Sequence, residues 1–375
     1  MTVPTLVVVG AGIVGLAHAL EGVRRGMAVV VLDRDERAVG ASIRNFGHIC
    51  VTAQEGQALD YALRARETWL VMAAKAGFWL SEAGTVVLAR ADDERAVLAE
   101  FAERRGDQVS LLDGREVRNR LPQVSDEVIG GAVLPLDLRV DPREAVPALA
   151  RWLGEQGVDF RWRTAVTGVE PGTVHTTRGA VKADAIVVAV GHDVDQLLPE
   201  VADAVALRRC LLLMLQVSTP DKAVFDSAIL SGLSLLRYPG LRACPSSTAL
   251  RERISRERPE LMDVSMNLML TQRPDGDLVI GDTHAYGLTH DPFTDEATGN
   301  LILRETARLL GVDSLVVRNR WRGIYASSDK TDFLVAAPYS AIRVVSVTSG
   351  IGMTTAFGLA PTVIDGLHRP RSTPS

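Results

Sequence analysis

Residues 5–9, TLVVV, form an unbroken β-branched and apolar run that stops at Gly10-Ala-Gly12-Ile-Val-Gly15. Such a run suits a parallel strand buried on both faces. The residues that follow, LAHALEGVRRG, carry Leu16, Ala19, Leu20 and Val23 at helical spacing and end at Gly26. A second strand, AVVVL, occupies 28–32, and Asp33 and Arg34 come directly after it. Gly10 permits the tight turn, Gly12 lets the amides around Ile13 and Val14 approach a pyrophosphate, and Gly15 lets the helix pack close on the strand. The pyrophosphate would sit at the positive end of that helix. Asp33 stands where a carboxylate accepts hydrogen bonds from a ribose 2′-OH, and its charge argues against a 2′-phosphate. Strand, glycine turn, helix, strand and acid in this order read as a dinucleotide-binding unit. The fingerprint alone does not separate FAD from NAD.

Other function classes are disfavoured. The chain of 375 residues is long enough for two domains, is 47% hydrophobic and 23% charged, and has a formal charge of −5. It offers no basic surface to neutralise a nucleic-acid backbone. The 3 cysteines (Cys50, Cys210, Cys244) are far apart and odd in number, which suits free thiols in a reducing compartment. No histidine pair has metal-ligand spacing, so no metal is expected. The amino-terminus lacks the basic region of a signal peptide, and no apolar run reaches the ~18–20 residues of a membrane span. The expectation is a cytoplasmic, soluble protein with no membrane or nucleic-acid partner and a disordered tail, RPRSTPS. Helices are expected in ADDERAVLAEFAERRGDQ and, with an Asp-Pro start, in DPREAVPALARWLGEQG.

The second strand is followed by GASIRNFGHIC (40–50), a polar, glycine-marked stretch. Here the chain resembles the D-amino-acid oxidase and glycine oxidase-like flavoproteins, the DAO-type FAD-dependent oxidoreductases. In that family a G-x-S segment runs along the pyrophosphate and under the flavin ring. The resemblance assigns Ala41 and Ser42 to the first part, and Arg44, Asn45, Phe46, Gly47 and His48 to the part that reaches the isoalloxazine. TAVTGV (164–169) is similar to the strand that meets the adenine, through Val166, and DAIVVAVGHD (184–193) to the segment that closes over the cofactor, through Ala189 and Gly191. SGIGMTTAFGLAPTVIDGL (349–367) resembles the glycine-rich turn and helix at the flavin carbonyl edge, which implicates Gly350, Ile351, Gly352, Met353 and Thr354. RPDGDLVIGDTH (273–284) is similar to a hairpin of the substrate domain, and Asp275-Gly276 is a turn signal in its own right.

The resemblance implies an α/β fold: a Rossmann-type, glutathione-reductase-like FAD-binding domain (1–80, 138–208 and 328–375) interleaved with a smaller α+β substrate domain (81–137 and 209–327). It also implies non-covalent FAD and oxidation of a small amine's C–N bond, with hydride leaving for flavin N5. The site need only position the substrate and fix its protonation state. In amino-acid-oxidising relatives an arginine in the segment matching WRGIYASSDKTDFLVAAP forks onto the substrate carboxylate; here Tyr325 takes that place. Arg320, Arg322 and Lys330 lie nearby, and Arg320 and Arg322 alternate along a strand so as to share one face. His48, His284 and Tyr286 complete the substrate-site candidates.

Together RNFG (44–47), GDTHAYG (281–287) and RWRGIY (320–325) resemble a subgroup found with phosphonate catabolism. That implies 2-aminoethylphosphonate or its N-methyl form as substrate. Phosphonoacetaldehyde and ammonia or methylamine would be the products, with oxygen as electron acceptor giving hydrogen peroxide. The alternatives are a sarcosine, glycine or D-amino-acid oxidase, an oxygen-insensitive FAD dehydrogenase serving a carrier, and a non-enzymatic flavoprotein. The oligomeric state is left open.

Overall fold

The computed structural model describes residues 3–367. The tail RPRSTPS lies outside the described residues. Thr5–Val9 is the inner strand of a six-stranded sheet, between Ala28–Leu32 and Ala185–Val188 and parallel to both. Asp159–Arg161 extends the sheet beyond Ala28–Leu32, and Ile342–Val347 with its antiparallel partner Phe333–Tyr339 extends it on the other side. Strand alternation sends Leu6 and Val8 into one core and Val7 and Val9 into another, which explains the unbroken apolar run.

The first of these cores is roofed by the helices Ile13–Arg24, Gly56–Ala76, Pro142–Glu155 and Gly352–Leu367. Against the second lies a small antiparallel sheet of Val166–Glu170, Thr173–Thr176 and Gly179–Lys182. Both helices expected from charge and capping form: Asp92–Arg105, and Pro142–Glu155, where the Asp141 side chain accepts a 3.0 Å hydrogen bond from Arg143 N.

The remaining chain builds an eight-stranded sheet in the order Val317–Ser327, Arg208–Val217, Leu278–Gly287, Met269–Gln272, Ala228–Leu230, Thr85–Ala89, Gly130–Leu134, Ser110–Asp113. Met269–Gln272 and Leu278–Gly287 are a hairpin, and its turn is closed by Gly276 N donating to Arg273 O at 2.9 Å. A fourth sheet, of His48–Ile49, Leu138–Val140 and Leu80–Ser81, lies where the chain passes between the two large ones. Among the described residues no helix is long and apolar enough to cross a membrane.

Gly352–Leu367 crosses Gly56–Ala76 in direct contact. A Cβ on Gly358 would stand 2.0 Å from the Tyr61 carbonyl oxygen, so only hydrogen fits. The crossing is locked by Trp69, whose indole N–H donates to Met353 O at 2.8 Å and whose ring meets Phe357 edge-on at 5.0 Å. Since the same helix carries Gly352–Thr354 at its amino end, the crossing sets where that end points. Gly358→Ala must push the two backbones apart and is expected to lower stability by about 1–3 kcal/mol, read from the midpoint of urea unfolding.

Candidate active site

A cavity of about 870 Å³ is lined by both large sheets and by the 39–50 loop. At one end it is bounded by Gly10, Gly12, Ile13, Val14, Asp33 and Arg34 of the fingerprint, with Ala41, Ser42, Val166, Ala189 and Gly191. Two expected residues stand behind this wall. Gly15 supports the turn from beneath, since a Cβ there would lie 1.8 Å from Gly10 O. Gly47, at φ +69, packs on the backbone of Val140, where a Cβ would meet O at 1.9 Å.

The Ile13–Arg24 helix starts from Gly12, which has no side chain to cap it. Ser42 Oγ instead accepts from Ile13 N at 2.9 Å, tying the G-x-S segment to the helix start. Asp33 accepts from Ala11 N at 2.7 Å and Asp35 N at 2.9 Å, and burial raises its pKa above the usual aspartate value. Arg34 reaches across to Asp193 at 2.9 Å.

A second helix opens on the same cavity. Its register begins with Thr355 N on Ile351 O, which leaves the preceding amides of Gly352, Met353 and Thr354 without intrahelical acceptors. Gly350 and Ile351 lead into it along the cavity wall. Two helix amino-ends, one beside a carboxylate and one some way along the cavity, are the donors that a diphosphate and an electron-rich ring edge require. Opposite, Asn45 shapes the loop. Its Nδ2 donates to Ala41 O and Ser42 O, both at 3.0 Å, while its Oδ1 accepts from Gly47 N at 2.8 Å. Arg44 and Phe46 follow the same wall, and Trp321 donates to Arg44 O at 3.2 Å.

The far end is built on the face of the eight-stranded sheet. Register places Tyr325, Cys210 and Tyr286 in one cross-strand row and Gly323, Leu212 and His284 in the next. Tyr325, Tyr286, His284 and His48 all line the cavity. His284 donates through Nδ1 to Ser265 O at 2.9 Å, and burial holds its pKa below the usual histidine value. Asp282 is 3.7 Å from His284 Nε2 and is raised above the ordinary carboxylate range by burial. It accepts from Asn267 Nδ2 at 3.1 Å.

Arg320, Arg322 and Lys330 lie outside this cavity. Arg320 and Arg322 do share a face, as alternation requires, but Tyr325 is an odd number of residues away and so points to the other side of the sheet. Arg320 instead pairs with Glu296 at 2.9 Å, Arg322 donates to Pro292 O, and Lys330 donates to Ala204 O at 3.2 Å.

Also lining the cavity, beside the exposed Arg242, is Arg237, which the sequence reading passed over. It follows the turn Gly232–Leu236, and its Nη2 donates to Tyr325 OH at 3.1 Å and Ser349 O at 3.2 Å. Its Nε and Nη1 have no protein partner among the described residues. Burial works against its charge, but Tyr325, Tyr286 and Asp282 around it hold the guanidinium above its ordinary pKa. One arginine in the otherwise apolar GLSLLRYPG was the available signal. Asp137, also overlooked, is fully buried beside His48. Its Oδ1 accepts from Val51 N at 2.8 Å and Thr52 N at 2.9 Å, and its Oδ2 accepts from Thr85 Oγ1 at 2.8 Å and lies 3.2 Å from His48 Nε2. Burial alone would raise Asp137, but the hydrogen bonds from His48, Thr52 N and Thr85 bring it below the usual range. His48, Asp137 and Cys50 bring possible ligand atoms within 4.8 Å of one another. Burial pushes the Cys50 thiol well up, which keeps it protonated, and Asp137 is occupied by its four donors.

Comparison with known proteins agrees with this construction. The family model described as FAD dependent oxidoreductase (DAO) matches residues 5–365. A subunit of the opine oxidase of Rhizobium meliloti is 25% identical over 220 residues, covering 52% of this chain and 58% of the relative. The chain thus spans under two thirds of that relative's length. Among solved structures, glycine oxidase from Bacillus cereus ATCC 14579 superposes with a TM-score of 0.79 at 18% identity, covering 97% of this chain and 94% of the other. L-α-glycerophosphate oxidase from Mycoplasma pneumoniae, with FAD bound, gives 0.76 at 17% identity, covering 99% and 96%. With a family match running through both sheets and a cavity whose donors suit a flavin dinucleotide, the chain belongs to the DAO family of FAD-dependent oxidoreductases, and FAD is its cofactor.

Proposed function

We propose that the protein oxidises the C–N bond of a small amine with an anionic end, an aminophosphonate such as 2-aminoethylphosphonate or its N-methyl form. The products would be phosphonoacetaldehyde and ammonia or methylamine, with oxygen accepting the electrons to give hydrogen peroxide. Gly10, Gly12, Ile13, Val14, Asp33, Arg34, Ala41 and Ser42 would hold the ADP moiety together with Val166, Ala189 and Gly191. Arg44, Asn45, Phe46, His48 and Gly350–Thr354 would hold the flavin. When bound, FAD supplies the two-electron acceptor for the C–H bond of the amine carbon.

The observation that carries the reading is Arg237, a partly buried cation in the cavity with three N–H bonds directed to no protein acceptor. The phenols of Tyr325 and Tyr286 flank it, kept neutral because burial raises both. Tyr325 OH accepts from Arg237, and neither phenol donates to a protein oxygen or nitrogen among the described residues, so their O–H groups remain available to an anion. Three phosphonate oxygens use more of this donor set than two carboxylate oxygens can. The opine and glycine oxidases among the relatives favour an amine, and a neighbour in fold, the L-α-glycerophosphate oxidase, is named for a phosphorylated substrate. A single guanidinium also suits a carboxylate fork, which keeps a sarcosine, glycine or D-amino-acid oxidase as the second reading.

Anaerobic bleaching of the flavin near 450 nm, at equal concentrations of the two aminophosphonates, sarcosine, glycine and D-alanine, separates the readings. The proposal expects the aminophosphonates to bleach fastest; bleaching by the carboxylates alone overturns it. Arg237→Met is expected to lower kcat/KM about 100-fold, the loss of about 3 kcal/mol of charged hydrogen bonding. Arg320→Ala and Arg322→Ala, which remove only outer-face charges, should leave kcat/KM within roughly twofold.

A further inference from the structure

An amine with an ordinary pKa arrives as the ammonium, whose nitrogen has no lone pair to support loss of the adjacent C–H electrons. A proton acceptor at the cavity wall would let the ammonium form react. We propose that His48, oriented by the buried Asp137 and Thr85, takes that proton; the inference rests on the amine reading above.

His48 lines the cavity with its side chain only 4% exposed. Its Nε2 lies 2.8 Å from Thr85 Oγ1 and 3.2 Å from Asp137 Oδ2, and Thr85 Oγ1 itself donates to Asp137 Oδ2 at 2.8 Å. Thr85 can then only accept from Nε2, so the proton of the neutral ring resides on Nε2 and the lone pair on Nδ1. Nδ1 has no protein partner among the described residues. A carboxylate fixed behind an imidazole stabilises the imidazolium that forms when the ring accepts a proton.

The other ionisable groups here do not compete for the proton. Cys50, on the same segment, and Tyr238, from the element that covers the cavity, are neutral because burial raises both. Arg139, paired with His48 across the strand ladder, is lowered by burial to about 10 and keeps its charge at neutral pH. Arg237 is also cationic, and Asp282 lies across the cavity beside His284. Asp137 is thus the anion in hydrogen-bond contact with the ring.

The step balances. The ammonium N–H bond breaks and an N–H bond forms at His48 Nδ1. FAD, when bound, would supply the acceptor for the amine's C–H hydrogen and its two electrons, which would leave an iminium. Water hydrolyses the iminium to aldehyde and ammonium, and His48 releases its proton to solvent. His48 is the proton acceptor, and Asp137 is a positioning residue acting through it.

The test uses the FAD-loaded protein and whichever amine bleaches the wild type fastest; bleaching by no amine defeats the underlying reading before any variant is made. His48→Gln is expected to slow anaerobic bleaching at neutral pH about 100-fold or more. Its rate should recover as pH rises toward the titration of a free alkylamine, about 10.4 for lysine. Asp137→Asn, with the ring retained but its anion gone, should slow bleaching and move the acid limb to lower pH, a shift that a purely structural role would not produce. Independently of turnover, ¹⁵N NMR of the wild-type histidines should show His48 becoming imidazolium on binding 2-amino-2-methylpropylphosphonate or 2-aminoisobutyrate, which lack the reactive C–H. An unchanged rate and pH limb in His48→Gln, or a His48 that stays neutral with both analogues, overturns the proposal.

Discussion

One buried carboxylate joins the parts of the molecule that must meet for a site to exist. Asp137 belongs to the turn between Gly130–Leu134 in one sheet and Leu138–Val140 in another. Its oxygens gather the amides of Val51 and Thr52 beyond the flavin loop, the hydroxyl of Thr85 in the large sheet, and the ring of His48. A buried anion without such donors would be severely destabilising, so the three segments are held in the arrangement that satisfies it. The cavity wall follows from that requirement.

The cofactor end of the cavity rests on a different constraint, the close approach of backbones. Gly15 under Gly10 and Gly358 over Tyr61 leave no room for a methyl group, and between them they fix two helices whose amino-ends face the same space. At their other ends the same two helices are joined by Arg25, which pairs with Asp365 at 2.6 Å. Packing sets the direction of the amides, and the amides set the electrostatics.

This division explains what could be read from the sequence. The fingerprint was legible because each part acts on its immediate neighbours: a run buried on both faces, a turn only glycine permits, a helix, an acid. The glycine-rich stretches at 40–50 and 349–354 were legible through family resemblance, and all but Gly15 and Gly47 of the cofactor residues inferred line the cavity itself. The far end of the cavity was less legible. Arg237 reaches it from a short turn whose path depends on tertiary packing, and Asp137 lies in LPLDLRV with no local sign of its partners. The misplacement of Arg320 and Arg322 had a signal that was present but unused: residues of opposite parity on one strand cannot join in a single clamp with Tyr325.

Those outer-face arginines have a consequence of their own. Val317–Ser327 is an eleven-residue strand at the margin of the eight-stranded sheet, with Arg208–Val217 as its only neighbour in the sheet order. A long margin of this kind invites another chain to add a strand. Arg318 is exposed along it, Arg320 is paired with Glu296 and Arg322 is held outward by Pro292, so an incoming strand would meet charged side chains. Charged side chains along an edge strand of this kind disfavour the addition of a further strand.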